Sequence, residues 1–191
     1  MVRIYITRHG ESVYNTQDRI GGDPNLSING KKYIPILLEY CKQTEIPFTA
    51  YTSTKKRTKQ TITSSLFLTC TQCKELDEIN AGIIEGLTYT EFKCKYPIEY
   101  QRRKNNKLTY RYPGGESYVD LIKRVSPFIA KINKEQKDVF IVCHRAVTRA
   151  LLAHLIEINK QEIPHLDIPL HTILKLEGTI GKMKLEYKKL A

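Results

Sequence analysis

Residues Val2 to Thr7 form a β-branched and aromatic run, the pattern of a strand buried on both faces. A long polar loop follows from Gly10 to Asn25, with strong turn signals at Gly21-Gly22-Asp23-Pro24. Ser27 then has the character of an N-cap, and Ile34, Leu37, Leu38 and Cys41 recur at helical spacing. Pro47 resets the chain before a second short strand, Phe48 to Thr52, behind which Ser53 and Thr54 are suited to cap a helix with Arg57 in its first turn. In the second half, Thr88 to Lys95 predicts a short helix that Pro97 ends. Arg102 to Arg111 is basic and unpatterned, closed by the turn Pro113-Gly114-Gly115. From Ser117 onward, Leu121, Ile122, Val125, Phe128, Ile129 and Ile132 mark a long amphipathic helix with Pro127 as a kink point. Val139 to Cys143 is a strongly apolar strand, followed by a helix through Val147, Ala150, Leu151, His154 and Leu155. Thr172 to Leu176 and Lys182 to Tyr187 close the chain as strands. Strand and helix alternate with no repeat, low-complexity tract or linker. The expectation is one α/β domain over residues 1–191, a mostly parallel central sheet with helices on both faces.

Composition narrows the class. With 191 residues and 41% hydrophobic content, the chain is long enough for one substantial core. No window approaches the apolar length of a bilayer span, and the chain enters its first strand without a leader pattern, so a cytoplasmic protein without a membrane partner is expected. Five cysteines, an odd number, argue for reduced thiols; Cys70 and Cys73 form a CxxC pair but lack the second pair of a zinc ribbon. The net charge of +11 invites a nucleic-acid reading. The lysines are spread along the chain, however, and no reading module or aromatic platform organises them. No nucleic-acid partner is expected; the excess makes a basic surface and, in part, focuses field into a cleft for a small anionic substrate.

The candidate chemistry lies at two strand ends. Arg8-His9 follows the first strand and His144-Arg145 follows the apolar strand ending at Cys143. In a parallel sheet the C-terminal strand ends share one edge, so these histidines can meet across the 144 − 9 = 135 positions that separate them. An imidazole can attack phosphorus while guanidinium groups hold the phosphoryl oxygens. Arg8, Arg57, His144 and the helix N-terminus near Arg57 would supply donors to the charge that spreads over those oxygens. A strand-end histidine is otherwise an ordinary surface residue. No HExxH, P-loop or magnesium-binding carboxylate cluster stands out, so neither metal nor other cofactor is expected.

Thr7-Arg8-His9-Gly10-Glu11, with the distant His144, resembles the histidine phosphatase (phosphoglycerate-mutase-like) superfamily, and within it the fructose-2,6-bisphosphatases. Matching segments run through the chain: Arg8 to Asn15, Arg19 to Pro24, Arg57 to Thr61, Leu76 to Gly82, Tyr110 to Pro113, Gly115 to Tyr118 and Pro169 to Thr172. The resemblance implies a three-layer α/β sandwich in which His9 becomes phosphohistidine and Arg8, Asn15, Arg57 and His144 hold the phosphoryl group. It implies that Glu78 protonates the leaving alkoxide and then activates water. Tyr89, Arg103, Lys107, Tyr118 and Arg149, with a backbone contact near Gly21, would bind the sugar and its second phosphate. The implied reaction takes fructose 2,6-bisphosphate to fructose 6-phosphate and phosphate. Alternatives are a broader phosphatase, a phosphoglycerate mutase, whose substrate lid is typically longer than Tyr89 to Pro113, or a non-catalytic protein retaining the fold. Arg145 departs from the glutamine usual at that position. Pointing inward it would favour a more anionic substrate; pointing outward it would change nothing. Because Met1 lies directly before the first strand, the kinase module of bifunctional relatives is expected to be absent.

Overall fold

The first apolar run is strand β1 (Ile4–Arg8), buried at every position. The computed structural model describes residues 2–44, 48–62 and 70–191, so the expected turn at Pro47 lies outside the described residues. Strands β2 (Phe48–Thr52), β3 (Cys70–Gln72), β4 (Asp138–Cys143), β5 (Thr172–Glu177) and β6 (Lys184–Lys189) join β1 in one sheet of order β3-β2-β4-β1-β5-β6. The first four in that order are parallel, and β5 and β6 add an antiparallel edge. The edge strand β6 is almost wholly exposed and carries Lys184, Lys188 and Lys189, charges that discourage pairing with another chain.

Period-two alternation sends successive side chains of the central strands into different cores. On one face Tyr5, Ala50, Phe140, Val142 and Ile173 meet Tyr33, Leu37 and Tyr40 of helix α2 (Ile28–Gln43). On the other, Ile4, Ile6, Val139, Ile141 and Leu174 meet helices α6 (Tyr118–Ile132) and α7 (Arg145–Leu155) through residues such as Leu121, Val125, Val147 and Leu151. A fully buried leucine of this kind contributes roughly 1.5–3 kcal/mol. This is the expected three-layer arrangement. The five cysteines are free thiols, and among the described residues no helix is long and apolar enough to cross a membrane.

Smaller elements differ from the sequence reading. The short helices are α1 (Val13–Thr16), α3 (Lys56–Thr61), α4 (Tyr89–Lys95) and α5 (Pro97–Asn105). Pro97 does follow α4, but it also opens α5 at the first helical turn, where its missing N–H costs nothing. Four of the ten residues of the segment expected to be unpatterned, Arg102 to Arg111, are therefore helical. Nor do Ser53 and Thr54 cap α3: its N-cap is Lys55, without a side-chain cap bond.

Glycine at position 30 decides how the loop after β1 seats on α2. A Cβ at Gly30 would collide with the Glu11 carbonyl, and one at Gly10 with the Gly30 carbonyl. Ser27 fixes the same junction by capping Gly30 N–H at 3.0 Å and by donating to Glu11 Oε1 at 2.6 Å. Gly30→Ala is expected to destabilise the protein by about 1–3 kcal/mol through overpacking against backbone, read as a lowered midpoint in chemical denaturation.

Candidate functional site

The parallel register Arg8↔Cys143 carries both strand-end histidines out of the sheet at the same level. His9 N–H donates to the Cys143 carbonyl at 3.0 Å, and the His9 and His144 rings stand 5.2 Å apart, tilted by 57°. Arg57 arrives from α3, behind the neighbouring strand β2. At the N-terminus of α3, where free anion-binding amides are expected, the first two amides are already engaged within the chain. Asp23 Oδ1 accepts from Lys56 N at 2.7 Å and Ser53 Oγ from Lys55 N at 3.2 Å.

Hydrogen bonds orient the His9 ring. Nδ1 lies 2.7 Å from the Gly10 carbonyl, which can only accept, so Nδ1 carries the proton. Nε2 is thereby a lone pair, and it accepts from Arg57 Nε at 3.1 Å. Burial, and after it Arg57 and Arg8, push His9 well below the usual histidine pKa. Burial with Arg57, His9 and Arg8 does the same to His144. Both imidazoles are therefore neutral at pH 7, and His9 Nε2 is available as a nucleophile. Arg8 is buried and donates Nη1 to the Ile168 carbonyl at 2.8 Å; burial first, then neighbouring Arg145, lowers its pKa to about 10, still far above neutrality. Arg57 Nη1 bonds the Gly22 carbonyl at 2.8 Å. Gly21 and Gly22, both at φ +65°, form the turn that the Gly-Gly pair signalled. Asn15 uses its side-chain oxygen to close the capping box with Ser12, so its amide donors are what it offers to the cavity.

Glu78 sits in an irregular segment held from outside. Asp77 fixes one flank by accepting from Thr54 N at 2.7 Å and from its hydroxyl at 2.9 Å. Arg124, from α6, donates to the backbone carbonyls of Glu75 at 2.8 Å and Asp77 at 2.9 Å, and is itself held by Glu116 at 2.7 Å. These long-range bonds aim the partly exposed Glu78 carboxyl, which accepts from Ile79 N at 3.0 Å. Removal from bulk water raises its pKa, against the downward pull of Arg57 and Arg8.

Arg8, His9, Asn15, Gly21, Arg57 and Glu78 line one cavity of about 400 Å³ together with Tyr89, Arg103, Lys107, Tyr118, Arg145 and Arg149. His144 is fully buried beside His9. Arg103 donates to Tyr112 Oη at 2.7 Å and lies over the Tyr89 ring, its cation 5.3 Å from the ring centre. Arg149 donates to the Leu166 carbonyl at 2.8 Å and to Tyr118 Oη at 3.0 Å. Lys107 Nζ donates to the Pro164 carbonyl at 2.7 Å; burial, then Arg149, Arg103 and Arg145, lower its pKa to about 7. Arg145 takes neither extreme of the sequence reading. It lines the cavity while half exposed, with Nη2 3.7 Å from Asp167. Sequence reasoning missed Ser12 and Tyr112 on the wall and Ser53 against His144, along with the Asp77, Glu116 and Arg124 scaffold. Only Ser53 carried a local signal, which was read as a cap. Among the described residues no group of three or more His, Cys, Asp or Glu is arranged to hold a metal ion.

The profile of the Histidine phosphatase superfamily (branch 1) matches residues 4–189. The 6-phosphofructo-2-kinase/fructose-2,6-bisphosphatase of Arabidopsis thaliana is 42% identical, over 97% of this chain and 25% of the relative. The fructose-2,6-bisphosphatase of Saccharomyces cerevisiae is 43% identical, over 91% of this chain and 38% of the relative. The chain thus spans about a quarter to two-fifths of the length of these relatives. Among solved structures, mycobacterial glucosyl-3-phosphoglycerate phosphatase with VO3 superposes at a TM-score of 0.87 with 24% identity, covering 100% of both chains. A putative alpha-ribazole-5'-P phosphatase from Escherichia coli gives 0.86 with 20% identity, over 97% of this chain and 94% of that one. These two share the fold. A profile that runs from the start of β1 to the end of β6 shows that the chain belongs to the histidine phosphatase superfamily.

Proposed function

We propose that this chain is a phosphomonoesterase working through phosphohistidine at His9, and that it removes the C2 phosphate of fructose 2,6-bisphosphate. The observation that carries the reading is the His9 ring, neutral, with Nδ1–H on the Gly10 carbonyl and its Nε2 lone pair beside Arg57. The relatives named fructose-2,6-bisphosphatase support the substrate. So does the second cationic set, Arg103, Lys107 and Arg149, on the wall of the same cavity.

In the first step Nε2 of His9 attacks phosphorus as the bond to the C2 oxygen breaks. Arg8, Arg57, Asn15 and His144 hold the three oxygens on which charge accumulates. The protonated Glu78 carboxyl gives its proton to the departing alkoxide, a role its raised pKa favours. In the second step the Glu78 carboxylate takes a proton from water, the water oxygen attacks phosphorus, and the N–P bond breaks to restore His9. Arg103, Lys107 and Arg149 bind the remaining phosphate, and Tyr89 and Tyr118 meet sugar oxygens.

The test is phosphate release from fructose 2,6-bisphosphate, 2,3-bisphosphoglycerate, 3-phosphoglycerate and an aryl phosphate. The first should show the highest kcat/KM; preference for the glycerate esters, or isomerisation of 3-phosphoglycerate, would reject the substrate. Arg145→Gln in the same panel should raise KM for bisphosphates about tenfold, the loss of about 1.4 kcal/mol from one charge-assisted bond. It should leave the aryl ester unchanged.

A further inference from the structure

Ser53 is fully buried at the end of β2 and has no place in the chemistry above. Its Oγ lies 2.8 Å from His144 Nε2 and 2.7 Å from Thr58 Oγ1, and accepts from Lys55 N at 3.2 Å. Thr58 Oγ1 is in turn 2.8 Å from the Lys55 carbonyl and 3.2 Å from the Ser53 carbonyl. A carbonyl only accepts, so the single Thr58 hydroxyl proton is committed there. The 2.7 Å contact between the hydroxyls therefore needs the Ser53 proton. With that proton used, Ser53 Oγ can only accept from His144, and Nε2 must be the donor. The reverse order would set bare lone pairs of Thr58 against the Lys55 carbonyl at 2.8 Å.

We propose that Ser53 is a positioning residue that holds His144 in its Nε2–H tautomer through a hydroxyl relay from Ser53 to Thr58 to the Lys55 carbonyl. His9 is locked in the opposite tautomer by the Gly10 carbonyl. Two further observations agree. His144 is held neutral by its burial and by Arg57, His9 and Arg8, so only one ring nitrogen carries a proton. Among the described residues its Nδ1 is buried without a hydrogen-bond partner, as a lone pair left over by the relay would be. One consequence rests on the proposed function. With Nε2 taken, Nδ1 is the atom left for a phosphoryl oxygen, and it must first gain a proton to donate. A monoprotonated phosphate ester carries that proton: it passes from ester oxygen to Nδ1, leaving a dianion facing an imidazolium.

The test is a long-range proton–nitrogen correlation spectrum of protein labelled with nitrogen-15 at histidine, taken without ligand. The wild type should show His144 protonated at Nε2 and bare at Nδ1, the mirror of His9. Thr58→Val removes the acceptor of the Ser53 proton, which then turns to Nε2 and flips His144 to its Nδ1–H form; Thr58→Ser should keep the wild-type pattern. Ser53→Ala should leave a mixture of tautomers and lower kcat about 10–100-fold, the scale seen when an orienting partner of a functional imidazole is lost. A wild-type His144 protonated at Nδ1, a tautomer unmoved in Thr58→Val, or a kcat loss in Ser53→Ala with the tautomer unchanged would each overturn the proposal. The spectra need no substrate, so they decide the relay even if fructose 2,6-bisphosphate is not hydrolysed.

Discussion

Replacing His9 by alanine is expected to lower phosphate release by roughly 10⁴-fold or more, the scale on which removing a covalent nucleophile acts. His144 is not expected to take over: its Nε2 is bound to Ser53, and its Nδ1 is the atom proposed to hold a phosphoryl oxygen. Arg57, freed from Nε2, would still attract phosphate, so the variant should bind ligand while failing to transfer it. Rapid quench with a phosphate-labelled substrate separates these properties: wild-type protein should acquire an acid-labile, base-stable label at His9 that chases into free phosphate. His9→Ala should acquire none. Folding should survive, because the side chain's hydrogen bonds run to the adjacent Gly10 and to Arg57 of α3, and Arg57 keeps its bond to the Gly22 carbonyl. A labelled His9→Ala protein would remove His9 from the covalent step.

What could be read in the sequence tracks how local each feature's cause is. β1 and β4 were legible because a central parallel strand is covered on both faces and must be apolar throughout, and their ends, His9 and His144, stood out against that run. α5 was not, because it buries none of its residues and a helix without a buried face writes no apolar period. Glu78 was named only through family resemblance. Its orientation comes from Asp77 bonding to Thr54 and from Arg124, 46 residues further along, and no local spacing encodes that meeting. Ser53 shows the converse failure. A serine just before a helix looks the same whether its hydroxyl caps the helix or, as here, turns across to a histidine just past the end of another strand. Arg145 adds a third case, since its reach is set by Asp167 on a distant loop.

The second large effect is expected at Glu78, where Glu78→Gln should slow turnover of fructose 2,6-bisphosphate by roughly 10²–10⁴-fold, the usual worth of a positioned general acid. The loss should depend on the leaving group. A sugar alkoxide leaves poorly without a proton, whereas an aryl oxide leaves well without one, so the same variant should retain most of its rate of enzyme phosphorylation by an aryl phosphate. Equal losses on both substrates would assign Glu78 to binding or positioning instead. The pH profile gives an independent reading. A raised folded-state pKa extends the protonated, proton-donating form to higher pH, so the alkaline limb of kcat for the sugar ester should report this carboxyl and should disappear in Glu78→Gln. The same shift fixes the sign of its effect on folding. A carboxyl with a raised folded pKa is better accommodated neutral than ionised, so its contribution is most favourable below the ordinary carboxylate pKa and is lost as pH rises toward the folded value. Glutamine, neutral at every pH, escapes that loss. Glu78→Gln should therefore unfold at a higher temperature than wild type at pH 7, with the difference shrinking on acidification, so that the carboxyl needed for alkoxide departure is one that the fold carries at a cost in stability.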